Sequence, residues 1–427
     1  MTLSEGMGQS VEADAELAEL HDAYQLPALL HRKFTHAELW EVLGPLADEA
    51  AVLEREEIGR SAEGRPLYAV RCGEGPLRVL LWSQMHGDEP THTMGLADLL
   101  HYLAREPDDA RARRILEALT LVAVPMLNPD GAERFRRFNA QGIDMNTDAR
   151  AWVTPELRSL RALYERFRPD FAFNLHDQNV RARVGSTRRL AAMALLACPF
   201  NEAGEDDDVR LRGKRLAAVI RRAVDPLIGG HVTRYSDAYE PRGMGEHMQR
   251  AGTSTVLVEM GGWPNDPEKQ FLRKVSFVAL LSALESLADG SYARAPLEEY
   301  HALETNSRMV VDLLVSGGTM VAPGLEPYRA DVGVHFEAPL DLRNGTIAQL
   351  GDLADYLGRE TLDATGLFLH PGPAALTPGV GERPTLEVGN DADFVLRRGP
   401  EGESEPVWIL EKGVARPVER EGARRSA

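Results

Sequence analysis

"LWSQMHGDEP", residues 81–90, closes an apolar run and opens onto a helical pattern. It sets His86 and Glu89 three residues apart, with Gly87 and Pro90 shaping the turn between strand and helix. An imidazole and a carboxylate therefore leave the end of a buried strand together. In open α/β sheets that place, just beyond the carboxyl ends of the strands, is where ligands collect.

Upstream, "RPLYAVRCG" (65–73) and "LRVLLWSQ" (77–84) flank a Gly- and Pro-containing break, which predicts two paired strands. "FTHAELWEVLGPLADEA" has helical spacing with Thr35 as its N-cap. Downstream, "THTMGLADLLHYLAREP" predicts a helix, and "LTLVAVPML" (119–127) a buried strand ending at the turn "NPDG". "FAFNLH" (171–176) and "TSTVLVEMGG" (253–262) read as further buried strands. The helices "PELRSLRALYERFRPD" and "EKQFLRKVSFVALLSALESLA" follow the same alternation. Strands and helices alternating to about residue 290 predict an α/β fold: a mixed, mostly parallel sheet flanked by helices.

After Tyr300 the pattern changes to short apolar or alternating segments divided by Gly and Pro. This predicts a smaller C-terminal β-rich domain, with one helix near "IAQLGDLADYLGRE". The expected organisation is a polar lead-in over 1–35, a catalytic domain over 36–298, a β-rich domain over 299–415 and a disordered tail over 416–427.

Composition narrows the class. The chain has 427 residues, 43% hydrophobic and 27% charged, as a globular protein with ample core material does. Its formal net charge of −18 argues against nucleic acid or an anionic membrane surface as partner. Two cysteines, Cys72 and Cys198, make no disulfide framework. The first twenty residues carry acids and no apolar core, unlike a secretory signal, and no run of 18 apolar residues occurs. A cytoplasmic location is the expectation. The acids Glu205–Asp208 read as a solvated run favouring the helix after them.

Four groups sit at predicted strand ends: His86 and Glu89, His176, and Glu259. One such histidine is ordinarily structural, and an HxxE spacing is weak alone. All four at carboxyl ends is a different matter, because parallel strands bring those ends together. Two imidazoles and one carboxylate form a catalytic zinc set, with a fourth position for water or substrate. Zinc lowers the pKa of bound water to roughly 7, and a nearby carboxylate, Glu259, serves as the base.

With these pieces in view, residues 55–285 resemble the zinc metallocarboxypeptidases of the carboxypeptidase A type. The resemblance runs through "IGRSAEGRPLYAV", "HGDE", "NPDG", "RRFNAQGIDMN", "NLH" and "VLVEMGG" in that order. It implies one zinc per chain on His86, Glu89 and His176, with Glu259 as general base and acid. It implies Arg137 as the residue that polarises the scissile carbonyl, although Arg134 and Arg136 are neighbours. It implies Asn146 as a substrate contact and Tyr239, or Tyr235, as a mobile tyrosine at the site. One departure matters: the family follows its asparagine with an arginine that grips a free C-terminal carboxylate, and here Thr147 stands there. A hydroxyl cannot replace a bidentate guanidinium. Arg150, Arg181 and Arg183 are the compensating candidates. Glu246 and His247 read either as a second metal site or as a pocket acid beside a helix-face histidine.

The expected activity is hydrolysis of an amide bond in a small peptide or acylated amino acid. The alternatives are an N-acyl amino acid deacylase of the aspartoacylase and succinylglutamate desuccinylase type, favoured by Thr147, and a zinc-retaining binding module without turnover.

Overall fold

A computed structural model describes residues 16–378 and 383–418. They divide into two compact units, one running through Asn179 and again over Ala191–Asn306, the other comprising Val180–Leu190 and the chain from Ser307 onward. The unit boundary comes after residue 306 rather than at the expected 299. The reason is packing: Tyr300 is buried in the first unit's core and its hydroxyl accepts a hydrogen bond from Ala197 N at 3.2 Å. The excursion Val180–Leu190 was not foreseen at all.

The first unit opens with helix α1 (residues 16–24) and α2 (His36–Glu49). Thr35 caps α2 as expected, in a reciprocal box: its hydroxyl accepts from Glu38 N while Glu38 Oε2 accepts from Thr35 N at 2.7 Å. Strands β1 (Leu53–Arg60), β2 (Pro66–Cys72) and β3 (Leu77–Ser83) lead to α3 (Thr91–Arg105), α4 (Ala110–Ala118) and β4 (Leu119–Val124). Then come α5 (Pro129–Glu133), α6 (Pro155–Phe167), β5 (Phe171–Asp177) and β6 (Arg183–Val184), the last within the excursion. The unit closes with β7 (Met193–Ala197), α7 (Asp208–Ile228), β8 (Val232–Arg234), α8 (Met244–Arg250), β9 (Ser254–Met260) and α9 (Gln270–Ala288).

Eight strands form one mixed sheet in the order β1-β2-β4-β3-β5-β9-β7-β8. The expected β2–β3 pair does not form, because β4 pairs antiparallel with β2 and parallel with β3 and so lies between them. A parallel strand reached through α3 and α4 takes the place a hairpin partner would have had. Strands β3, β5 and β9 are parallel neighbours, so their carboxyl ends share one edge. Every residue of β4 and β9 is buried, as strands covered on both faces require. The larger core lies under α2, α3, α7 and α9, and a smaller one under α6.

The lead-in belongs to this core. Leu17, Leu26 and Leu29 are buried in it, and a fully buried ion pair ties the segment down. Arg273 donates to both oxygens of Asp98 at 2.6 Å and to the carbonyls of Leu26 and Leu29. Asp98 also accepts from Leu26 N at 2.9 Å and lies 3.1 Å from His21 Nε2. Residues 1–15 of the expected lead-in lie outside the described residues.

The second unit is β-rich, as expected. A four-stranded sheet runs in the order Arg343–Gly351, Asp331–Ala338, Val310–Ser316, Leu357–Asp363, beside a six-stranded sheet that ends at Val414–Pro417. The helix expected near residues 347–360 is absent: Arg343–Gly351 and Leu357–Asp363 are strands, fixed by antiparallel and parallel partners. Sheet pairing here overrides a weak helical spacing. Within this unit Asp312 is buried and paired with Arg181 and Arg359. The expected tail starts inside a strand at Arg416, and residues 419–427 lie outside the described residues. Among the described residues, no helix is long and apolar enough to cross a membrane.

Arg273→Met leaves the Asp98 carboxylate buried without its cation, which costs about 3–5 kcal/mol. Urea unfolding of this variant shows that loss, while pairing it with Asp98→Leu recovers most of it. A cost below about 1 kcal/mol for Arg273→Met would contradict the anchoring role.

Candidate metal centre

The turn after β3 is set by close backbone contact. A Cβ on Gly87 would lie 2.0 Å from the carbonyl carbon of Gly131, so no side chain fits there. This packing lets the chain reverse at once, and Glu89 N donates to His86 O at 3.1 Å. His86 and Glu89 thereby point to the same place.

His176 arrives from the end of β5. Its Nδ1 lies 2.8 Å from Glu89 Oε2 and 3.1 Å from His86 Nδ1, and His86 Nδ1 lies 2.8 Å from Glu89 Oε1. All three residues are buried, and among the described residues they form the one group of three or more His, Cys, Asp or Glu able to hold a metal ion. Four-coordinate zinc at about 2.0–2.1 Å from its ligands sets neighbouring ligand atoms about 3.3–3.4 Å apart. The observed triangle is smaller by about half an ångström or less, so the donor set fits zinc in kind and size.

The electrostatics agree. Burial pulls the His86 imidazolium down, but Glu89 and a bond to Asp144 outweigh it and leave the group at about 9. Burial lowers His176 as well, against the pull of Glu89. Burial raises the Glu89 carboxyl, yet the two imidazoles hold it well below its ordinary value. This is a pocket built for positive charge.

Glu259 is the register partner of His176 on the adjacent parallel strand, so both side chains leave the same face of the sheet. It is buried, its Oε2 has no hydrogen-bond partner among the described residues, and burial with the Glu89 charge pushes its carboxyl well up. Arg137 reaches the cluster from the loop after α5. Its Nε donates to Asp144 Oδ2 at 3.0 Å and its Nη1 to Glu89 Oε1 at 3.1 Å. The neighbouring Arg134 is turned away onto Glu63.

Asn146 lies in a 3₁₀ turn (Met145–Thr147) capped by Asp144, and its buried Oδ1 has no partner among the described residues. Thr147 donates its hydroxyl to Asp144 O at 3.0 Å. Of the compensating arginines, Arg181 binds Asp312 and Phe336 O, and Arg183 binds Ser307 and Asp355 O. Arg150 is exposed. Tyr239 is not brought to the cluster: its hydroxyl accepts from Arg250 at 2.7 Å. Tyr235 packs against Leu196, Cys198 and Leu257. His247 stacks edge-on against Trp152, and Glu246 lies over Gly243 at the start of α8, its carboxyl raised by burial to about 7. Among the described residues these two join no second metal-binding group. The acidic run serves α7: Asp207 caps it and Asp206 pairs with Lys214.

Two supporting groups escaped the sequence. Asp144 lies 3.0 Å from His86 Nε2, orienting the ring from behind, and only its place two residues before Asn146 hinted at it. Asp177 N donates to Glu89 Oε2 at 3.1 Å, while its carboxylate pairs with buried Lys269. Nothing in the linear order links residues 177 and 269.

Residues 45–180 match the family model described as zinc carboxypeptidase, Peptidase_M14. Probable carboxypeptidase 2 of Trichophyton verrucosum is 31% identical over 144 residues, covering 33% of this chain and 27% of that protein. Carboxypeptidase D of Mus musculus is 36% identical over 105 residues, 18% of this chain and 7% of that protein. The chain thus spans about a quarter or less of the length of these relatives. The solved metallo-carboxypeptidase of Burkholderia cenocepacia shares the fold, with a TM-score of 0.50 at 19% identity over 61% of this chain and 71% of that one. Over residues 45–180, the segment that holds His86, Glu89 and His176, the chain is similar to the zinc carboxypeptidases.

Proposed function

We propose that this chain hydrolyses an amide bond in a small peptide or acylated amino acid, holding one zinc ion on His86, Glu89 and His176. The observation that carries this reading is the convergence of those three side chains with Glu259 beside them. Zinc supplies Lewis acidity to a carbonyl oxygen and makes water more acidic.

The chain's own residues supply the rest. Asp144 holds the His86 ring, and the Asp177 N–H holds one oxygen of Glu89. Glu259 takes a proton from the attacking water and passes it to the leaving amine, a role suited to a buried carboxyl with a free oxygen. A divalent cation near Glu89 opposes the burial that raises Glu259, and so moves it toward the range where it can both accept and donate. Arg137 is steadied by Asp144 and directs Nη1 at the cluster, where it donates to the oxyanion as charge develops. A cytoplasmic location is part of this reading, supported by Cys72 and Cys198, both buried and free.

Substrate choice turns on Thr147. Its hydroxyl is committed to Asp144 O, and two of the three candidate arginines are engaged elsewhere. This favours substrates whose recognition does not hinge on a bidentate grip of a terminal carboxylate, and it keeps the deacylase reading as the second choice.

Glu259→Gln removes turnover by about a thousandfold or more while zinc content by atomic emission stays at one per chain. Full activity in this variant would exclude Glu259 as the base, and zinc loss would make it a ligand instead. On an N-acyl dipeptide and its C-terminal amide, kcat/KM differs by less than about tenfold in the parent, and Thr147→Arg widens the gap by about 10- to 100-fold. A parent that already prefers the free acid a hundredfold would show that another group grips the carboxylate.

A further inference from the structure

A cavity of about 380 Å³ opens on the first unit between the sheet and the last turn of α6. That size is at the lower end of small-molecule sites, about 300–1,000 Å³. Its lining comes from β1, β2, β3, β4 and α6 and includes none of His86, Glu89, His176, Arg137 or Glu259.

Ala69, Val122, Leu163 and Phe167 give it an apolar patch, beside Thr120, whose hydroxyl donates to Gly75 O. Above it stand arginines with donors to spare. Arg71, cross-strand from Glu54 and Val122, comes no nearer than 4.0 Å to Glu54 and makes no side-chain hydrogen bond among the described residues. Arg78 approaches Asp170 at 3.8 Å, and only its backbone N–H is bonded to that carboxylate. The third, Arg166, is committed to Glu56. Glu54 is the one rim carboxylate without a close partner, its side chain 75% exposed.

We infer that this cavity binds a free apolar α-amino acid. Its carboxylate is met by Arg71 and Arg78, its ammonium by Glu54, and its side chain by the apolar patch. Both signs of charge are needed, since the amine and carboxylate of an α-amino acid sit one carbon apart, as Glu54 and Arg71 sit opposite one another across β1 and β2. A ligand so held between two loosely paired residues replaces a weak ion pair by two charge-assisted hydrogen-bonded contacts. Free amino acids are among the products of the hydrolysis proposed above, but the binding itself does not depend on that activity.

Titration calorimetry on the full chain in chelator, where a carboxylate cannot be held by zinc, tests this directly. L-Leucine gives saturable binding with a Kd below about 10 mM. Leucinamide, which lacks the carboxylate, and 4-methylpentanoate, which lacks the amine, each bind at least about tenfold more weakly. Arg71→Gln and Arg78→Gln, both at exposed side chains, weaken leucine at least about tenfold without changing the melting temperature. No saturable heat with leucine, unchanged affinity in both variants, or equal binding of 4-methylpentanoate overturns the inference. None of these results bears on zinc binding or Glu259.

Discussion

Glu89 is a buried carboxylate with an imidazole 2.8 Å from each oxygen. A charge so placed is costly unless it is paired and hydrogen-bonded. The surroundings are arranged around that cost: the Asp177 N–H and the Arg137 guanidinium both donate to the carboxylate. Arg137 also pairs with Asp144 and Lys269 with Asp177, while burial pushes the Glu259 carboxyl well up. A divalent cation among His86, Glu89 and His176 would take the place of the proton that Glu89 holds on His86, so the geometry and the local charge suit the same occupant.

The convergence rests on sheet order more than on local chemistry. With β3, β5 and β9 as parallel neighbours, three segments separated by scores of residues deliver their side chains to one edge. A shift of β9 by one residue relative to β5 turns Glu259 to the opposite face. The tight packing of Gly87 on the Gly131 backbone fixes the turn after β3 that carries His86 and Glu89.

Much of this was legible in the linear text, and the reason is periodicity. Buried parallel strands read as continuous apolar runs, so the ends of β3, β5 and β9, and hence His86, His176 and Glu259, stood out. Thr35 as a cap followed from local rules alone. Failures came where distant partners decide. The place of β4 between β2 and β3, the strands over 343–363 and the excursion at 180–190 are set by pairing that no window of sequence contains. Asp144 and Lys269 were missed for the same reason: each matters through a contact with a residue far along the chain. Tyr239, taken from the resemblance, is engaged with Arg250.

The most direct test of the central claim is X-ray absorption at the zinc edge of the purified chain. The expected spectrum has a first shell of nitrogen and oxygen at about 2.0–2.2 Å with outer-shell scattering from two imidazoles, falling to one in His176→Ala. A shell without imidazole, or an imidazole count unchanged by that substitution, would contradict a zinc site built from residues 86, 89 and 176.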